Sequence, residues 1–177
     1  MRFKNLFNVG ALMLFSLSWG YTGQLPAPPV GQAGSDLVAI GQKFKIESKI
    51  LGETREVWIR LPQGYENSQE KYPLLIQLGG GAHFLYSAGV VDILSRNDHI
   101  PKMIVAAVAD PTPRHHYRDS TPTKVDYLPD SGGASKFLQF IKEELLTALG
   151  VGYRVQPFRI LCGHGLSGLF AVGETAH

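Results

Sequence analysis

The chain has 177 residues, 44% hydrophobic and 18% charged, with a formal net charge of +2 and a single cysteine. That length suits one compact domain with a sizeable core, and the apolar content excludes a disordered chain, which buries too little surface to fold. A lone Cys162 excludes a disulfide scaffold and paired-cysteine zinc sites, and a charge this small without a Lys/Arg run gives no ground for nucleic acid as a partner.

Residues 1–20 read as an address. Arg2 and Lys4 precede an apolar run from Leu6 to Leu17, and Ser18 and Gly20 place small residues before a cleavage point, the pattern of a secretory signal peptide. The run is shorter than the ~20 residues that span a bilayer, which argues against an uncleaved anchor. The expected location is secreted or periplasmic, with no stable membrane association once the signal is removed. The signal carries two of the seventeen Lys/Arg and none of the fifteen Asp/Glu, so the mature chain is formally neutral. Residues 21–40, rich in Gly, Pro and Gln, read as a flexible leader, leaving 41–177 as the folded part.

That part opens with two alternating segments, Lys43 to Ile50 and Arg55 to Leu61, joined by Leu51-Gly52-Glu53-Thr54, which predicts an antiparallel hairpin. The runs Tyr72–Leu78, Met103–Val108 and Phe158–Cys162 are nearly continuous in apolar residues, as in parallel strands covered on both faces. Between them the spacing predicts helices over Phe84–Arg96 and Ala134–Leu149, the second carrying an i, i+4 stripe of Phe137, Ile141, Leu145 and Leu149, with Gly150 as its stop. The layout is α/β, a mostly parallel sheet with an N-terminal antiparallel hairpin and crossovers on both faces. Its site is expected in the loops at the strand carboxyl ends: Gly79–His83, Asp110–Gly133 and from Gly163 onward.

Phe158 to Ala171 reads as strand, glycine-rich turn and helix start. Gly163, Gly165 and Gly168 satisfy the dinucleotide pattern G-x-G-x-x-G in letters. That pattern belongs after the first strand of its unit, with an acidic residue about 20 positions on. Here it follows the last strand, so no nucleotide cofactor is expected, and no other. The competing pattern is the nucleophile elbow G-x-S-x-G, which needs serine where Gly165 stands.

The order of segments from Phe44 to Ala171 resembles the esterase family that contains esterase D and the enterochelin (siderophore) esterases, an α/β-hydrolase group. The resemblance is carried by Arg55-Glu56-Val57-Trp58-Ile59-Arg60-Leu61-Pro62 with Tyr65 and by Tyr72–Leu78 with Ala82-His83-Phe84. Arg118-Asp119-Ser120-Thr121-Pro122 is similar to the family's Arg-Asp-x-Thr-Pro, and Gly132–Leu138 to the helix before its elbow. It implies hydrolysis of a small-molecule carboxylic ester through an acyl-serine. It implies oxyanion donors at Leu166 and within Gly79, Gly80 and Gly81, and substrate-binding candidates at His83, His164, Arg118 and Asp119. The departures are as informative. The family elbow Gly-His-Ser-x-Gly-Gly reads Gly163-His164-Gly165-Leu166-Ser167-Gly168, and the first oxyanion loop, usually Asp-Gly-Asp, reads Gly79-Gly80-Gly81. The triad acid and histidine follow the nucleophile in this superfamily, and the chain ends at His177, so these partners and the last strands are expected to be missing.

Local substitutes are weak. Ser167 is expected as a helix-start hydroxyl bonding backbone N–H groups rather than as a replacement nucleophile. Glu174 and His177 lie too close to a terminus to be held as an oriented pair. His115-His116 is expected in a solvated loop and not as a metal pair, so no metal site is expected. The expectation is a partial α/β-hydrolase domain over 41–177, impaired or inactive as an esterase; the alternative is a non-catalytic remnant binding an ester, a siderophore-like ligand or a partner. The strand ending at Cys162 is expected to become an exposed edge.

Overall fold

The computed structural model describes residues 39–175. The expected signal, nearly all of the leader and His177 lie outside the described residues, as does the side chain of Glu174.

Alternation does what it predicts at the start of the sheet. Strand β1 (Gln42–Ser48) pairs antiparallel with β2 (Glu53–Arg60), from Gln42 opposite Ile59 to Ser48 opposite Glu53. Gly52, at φ 71°, makes the left-handed step of the turn that an L side chain would resist. On β2, Arg55, Val57 and Ile59 point the same way and are all buried, as a period of two requires. The apolar runs become β3 (Tyr72–Gln77), β4 (Ile104–Val108) and β5 (Val155–Cys162). The sheet order is β1-β2-β4-β3-β5, with β2 antiparallel to β4 and with β4, β3 and β5 mutually parallel.

Both faces of the parallel part are covered. Helix α1 (Gly80–Arg96) joins β3 to β4 and sets Phe84, Ala88 and Val91 against Met103, Val105 and Ala107. On the other face Ile104, Ala106 and Val108 meet a long helical run between β4 and β5. That run comprises α3 (Ala134–Gln139), a π-helical segment (Phe140–Leu145) and α4 (Leu146–Gly152). Its stripe of Phe137, Ile141, Leu145 and Leu149 is buried as expected, with Phe140 added. Each such side chain contributes about 1.5–3 kcal/mol on burial. The carboxylate of Glu144, in the π segment, accepts the backbone N–H groups of Lys49 (2.8 Å) and Ile50 (3.2 Å), fastening the hairpin turn to this helix. Helix α5 (Leu166–Thr175) follows β5 and packs Phe170 against Phe137. Strand β5 ends the sheet order, and Phe158 on it is exposed.

Three expectations are corrected. Helix α1 begins at Gly80 rather than Phe84, so Gly80, Gly81 and His83 belong to its first turn and not to a loop. The reason is steric: a Cβ at Gly80 would lie 2.4 Å from the carbonyl oxygen of Val108, so only glycine lets a helix start this close to β4. Residues expected in a loop after Asp110 include α2 (Pro113–Ser120), with proline in its first turn. Gly150 is not a stop, since α4 continues to Gly152 before Tyr153 turns extended.

Candidate functional site

The turn after β5 is an elbow held by glycine at three points. A Cβ at Gly163 would lie 2.3 Å from the carbonyl oxygen of Ser167, and one at Gly168 would lie 3.2 Å from that of Gly163. Strand and helix therefore approach at backbone contact distance. Between them Gly165 is at φ 59°, with nothing within 4 Å of where a Cβ would project. Left-handed backbone with open space ahead of it is the arrangement that displays a nucleophile above a sheet. Here it displays a hydrogen atom.

Opposite the elbow stands the start of α1. Gly79 is its N-cap at φ 67°, and the first-turn N–H groups have no acceptor within the helix. Gly79 is the meeting point of the site: a Cβ there would be 3.4 Å from the His83 ring, 3.5 Å from Ser167 Oγ and 3.9 Å from Asp110 Oδ2. Beside it lies a cavity of about 670 Å³, lined by Gly79, Gly81, Ala82, Trp58, Asp110 and His116 among others. Trp58 forms the wall facing Gly81, held edge-on against Phe84 with ring centroids 5.6 Å apart.

His116 overturns the expectation of a solvated loop. It sits on α2 with its Nδ1 3.1 Å from Asp110 Oδ2 and 3.4 Å from Ser167 Oγ. Ser167 is buried, and its hydroxyl meets this imidazole rather than capping the helix backbone as expected. Burial raises the Asp110 carboxyl above its usual range, against the opposing pull of His116 and Arg55. His115 faces the other way, its Nε2 3.3 Å from Glu53. No group of three or more His, Cys, Asp or Glu side chains converges as a metal would need among the described residues.

Beneath the site runs an ionic network that the sequence reading missed. Arg55, fully buried in β2, pairs with Asp119 and with Glu53, the latter at 2.7 Å from its Nε, and donates to the carbonyl of Ala109. Arg118 donates to both oxygens of Glu53 at 2.9 and 2.7 Å, and its Nε lies 2.7 Å from Asp119 Oδ1. The hydrogen bonds from Arg118 lower the Glu53 carboxyl to about 2, with Arg55 and His115 adding to the effect. Both oxygens of Asp119 are taken by arginines and its side chain is buried. Arg118 and Asp119 are thus committed to holding α2 on β2, and neither lines the large cavity. The signal for Arg55 was present: it lies in phase with Val57 and Ile59.

The structure brings His83 and His164 together, with ring centroids 5.4 Å apart at the mouth of the elbow, His164 exposed and His83 half-buried. Neither is joined to Ser167 by a hydrogen bond, and the Glu174 side chain and His177, rejected as a pair from the sequence, lie outside what is described.

Strand order, elbow and first-turn glycines together define an α/β-hydrolase fold. A family model described as "Putative esterase" matches residues 48–175, and the chain belongs to that family. Among solved structures, it is similar to an IroE-like serine hydrolase from Shewanella oneidensis, with 34% identity and a TM-score of 0.70, covering 75% of this chain and 45% of that one. Siderophore hydrolase EstA from Aspergillus nidulans shares the fold at 20% identity and TM-score 0.68, covering 81% of this chain and 54% of that one. So does the enterobactin esterase FES from Shigella flexneri, solved in the presence of enterobactin, at 18% identity and TM-score 0.62, covering 75% and 32%. The chain thus spans about half the length of the first two, or less. A comparison with curated proteins gives no match. No helix among the described residues is long and apolar enough to cross a membrane.

Proposed function

We propose that this is an exported member of the esterase family that holds the acyl group of a small carboxylic ester, siderophore-like esters included, without forming an acyl-serine. The observation that carries the reading is Gly165: an elbow apex with left-handed backbone, open space in front, and no side chain. An ester carbonyl would be held by Leu166 N–H and a first-turn N–H of α1, with Trp58 and Ala82 against the acyl group. Loss of a triad serine lowers kcat by about 10⁶, leaving about 10³–10⁴ over water from oxyanion donors and binding. Ser167 does not replace it: it is buried, and its hydroxyl meets the same His116 nitrogen, Nδ1, that Asp110 contacts, whereas a nucleophile and its orienting acid use opposite ring nitrogens. The similarity to hydrolases that act on siderophores supports the ligand class, and the basic, apolar N-terminus supports export.

The test pairs two measurements. Intact-mass analysis after diisopropyl fluorophosphate should show no adduct on Ser167 or any other serine. Saturation-transfer NMR should show binding of p-nitroacetanilide, an unreactive acetyl analogue. A stoichiometric adduct would establish a serine nucleophile and overturn the reading, and absent binding would remove the ligand site.

A further inference from the structure

One feature of the site has no part in the ester-binding reading: the imidazole of His116, which stands against Asp110. We propose that His116, oriented by Asp110, is a general base that drives direct attack of water on an ester held in the cavity. This proposal rests on the ester-binding reading above and adds a reaction to it.

The geometry has the polarity that such a base needs. In the proposed arrangement Asp110 accepts at 3.1 Å and the shared proton sits on His116 Nδ1. In the neutral ring the lone pair is then on Nε2, the tautomer a histidine base uses when a carboxylate holds its other nitrogen. Ser167 approaches the same Nδ1 at 3.4 Å and so does not occupy Nε2, which makes no hydrogen bond among the described residues. The His116 side chain is 31% exposed and lines the same cavity as Gly79, Gly81 and Ala82. Base and oxyanion donors therefore border one space. Asp110 is fixed from behind by Arg55, whose Nη1 lies 4.0 Å from its Oδ1. Around the ring the ionisable groups are Asp110 from the β4 exit, Arg55 on β2, Tyr117 and Asp119 on α2, and Lys45 and Glu56 lining the same cavity. The base and the carboxylate that orients it lie within residues 110–116.

In the step, Nε2 takes a proton from water as its oxygen bonds to the acyl carbon, and the carbonyl pair moves onto oxygen, facing the α1 N–H groups. The tetrahedral species collapses, the acyl C–O bond breaks, and the leaving alkoxide recovers the proton from the imidazolium. Ester and water give acid and alcohol, with nothing else consumed.

Hydrolysis of p-nitrophenyl acetate by the full chain tests this. The expected result is slow, saturable turnover that slows in D2O and depends on pH. His116→Gln should lower kcat by about 10²-fold or more, the range for general-base catalysis, while p-nitroacetanilide still binds. His99→Gln, an exposed histidine remote from the cavity, should leave the rate unchanged and so subtracts adventitious imidazole catalysis. Asp110→Asn should lower kcat with little change in KM. Should His116→Gln not fold, the pH profile and isotope effect of the unaltered chain decide. Undiminished saturable turnover in His116→Gln, a pH-independent rate, or binding without saturable hydrolysis would each overturn the proposal. Absence of both binding and hydrolysis would overturn the ester-binding reading with it.

Discussion

Replacing Glu53 by glutamine isolates the ionic network under the site. The substitution keeps the shape of the side chain and removes the charge that Arg118, Arg55 and His115 face. Glu53 is held at about 2 instead of 4.5, chiefly by its hydrogen bonds from Arg118. With its side chain 21% exposed, solvent screens it only in part, and the shift corresponds to about 3 kcal/mol of folding stability at neutral pH. Because the folded-state value is depressed, this contribution is complete above pH 4.5 and is lost as pH falls toward 2. Urea denaturation followed by circular dichroism at pH 7 should therefore find Glu53→Gln less stable by about 3 kcal/mol, equivalent to about 10 °C in Tm for a domain of this size. At pH 3 the gap should shrink to about 1 kcal/mol. Equal stability at pH 7, or a gap that persists undiminished at pH 3, would refute the assignment of the stabilisation to the Glu53 charge.

Two further substitutions probe the backbone of the site. Gly80→Ala drives a methyl against the Val108 carbonyl at 2.4 Å and should destabilise by about 1–3 kcal/mol, measured by the same denaturation; a neutral result would mean α1 can retreat from β4 at no cost. Gly165→Ser meets no steric obstacle but places a side chain at φ 59°, so it should fold with a loss of about 1 kcal/mol. It should not react stoichiometrically with diisopropyl fluorophosphate, because no histidine other than its chain neighbour His164 comes within 4 Å of its Cβ position. An adduct on the new serine would reveal a base within the chain that reaches the apex.

Much of this was legible in residue order. The stripe Phe137, Ile141, Leu145 and Leu149 predicted a buried helix and is one, and the apolar runs became the parallel strands, because periodicity records which faces are covered. The start of α1 was not legible: what Gly80 avoids is an oxygen of Val108, a contact made only once β3 and β4 pair. The role of His116 was hidden for a similar reason, since Ser167 lies 51 positions away and Asp110 precedes a helix too short and polar for periodicity to reveal. Arg118 and Asp119 were conspicuous as a motif, yet the motif alone could not tell a ligand contact from an internal pair. That distinction depends on Arg55, which pattern reading counted merely as the polar member of an alternating strand.

The elbow carries one more consequence. Its sharpness is set by Gly163 against the Ser167 carbonyl, not by the residue at the apex. A hydrolase with serine there holds its reactive group in a tense conformation, whereas glycine occupies the same conformation at rest. The turn therefore keeps its shape whichever residue is mounted on it. Position 165 is a socket: it aims whatever is placed there into open space at the foot of a helix, and the surrounding backbone already bears the load of doing so.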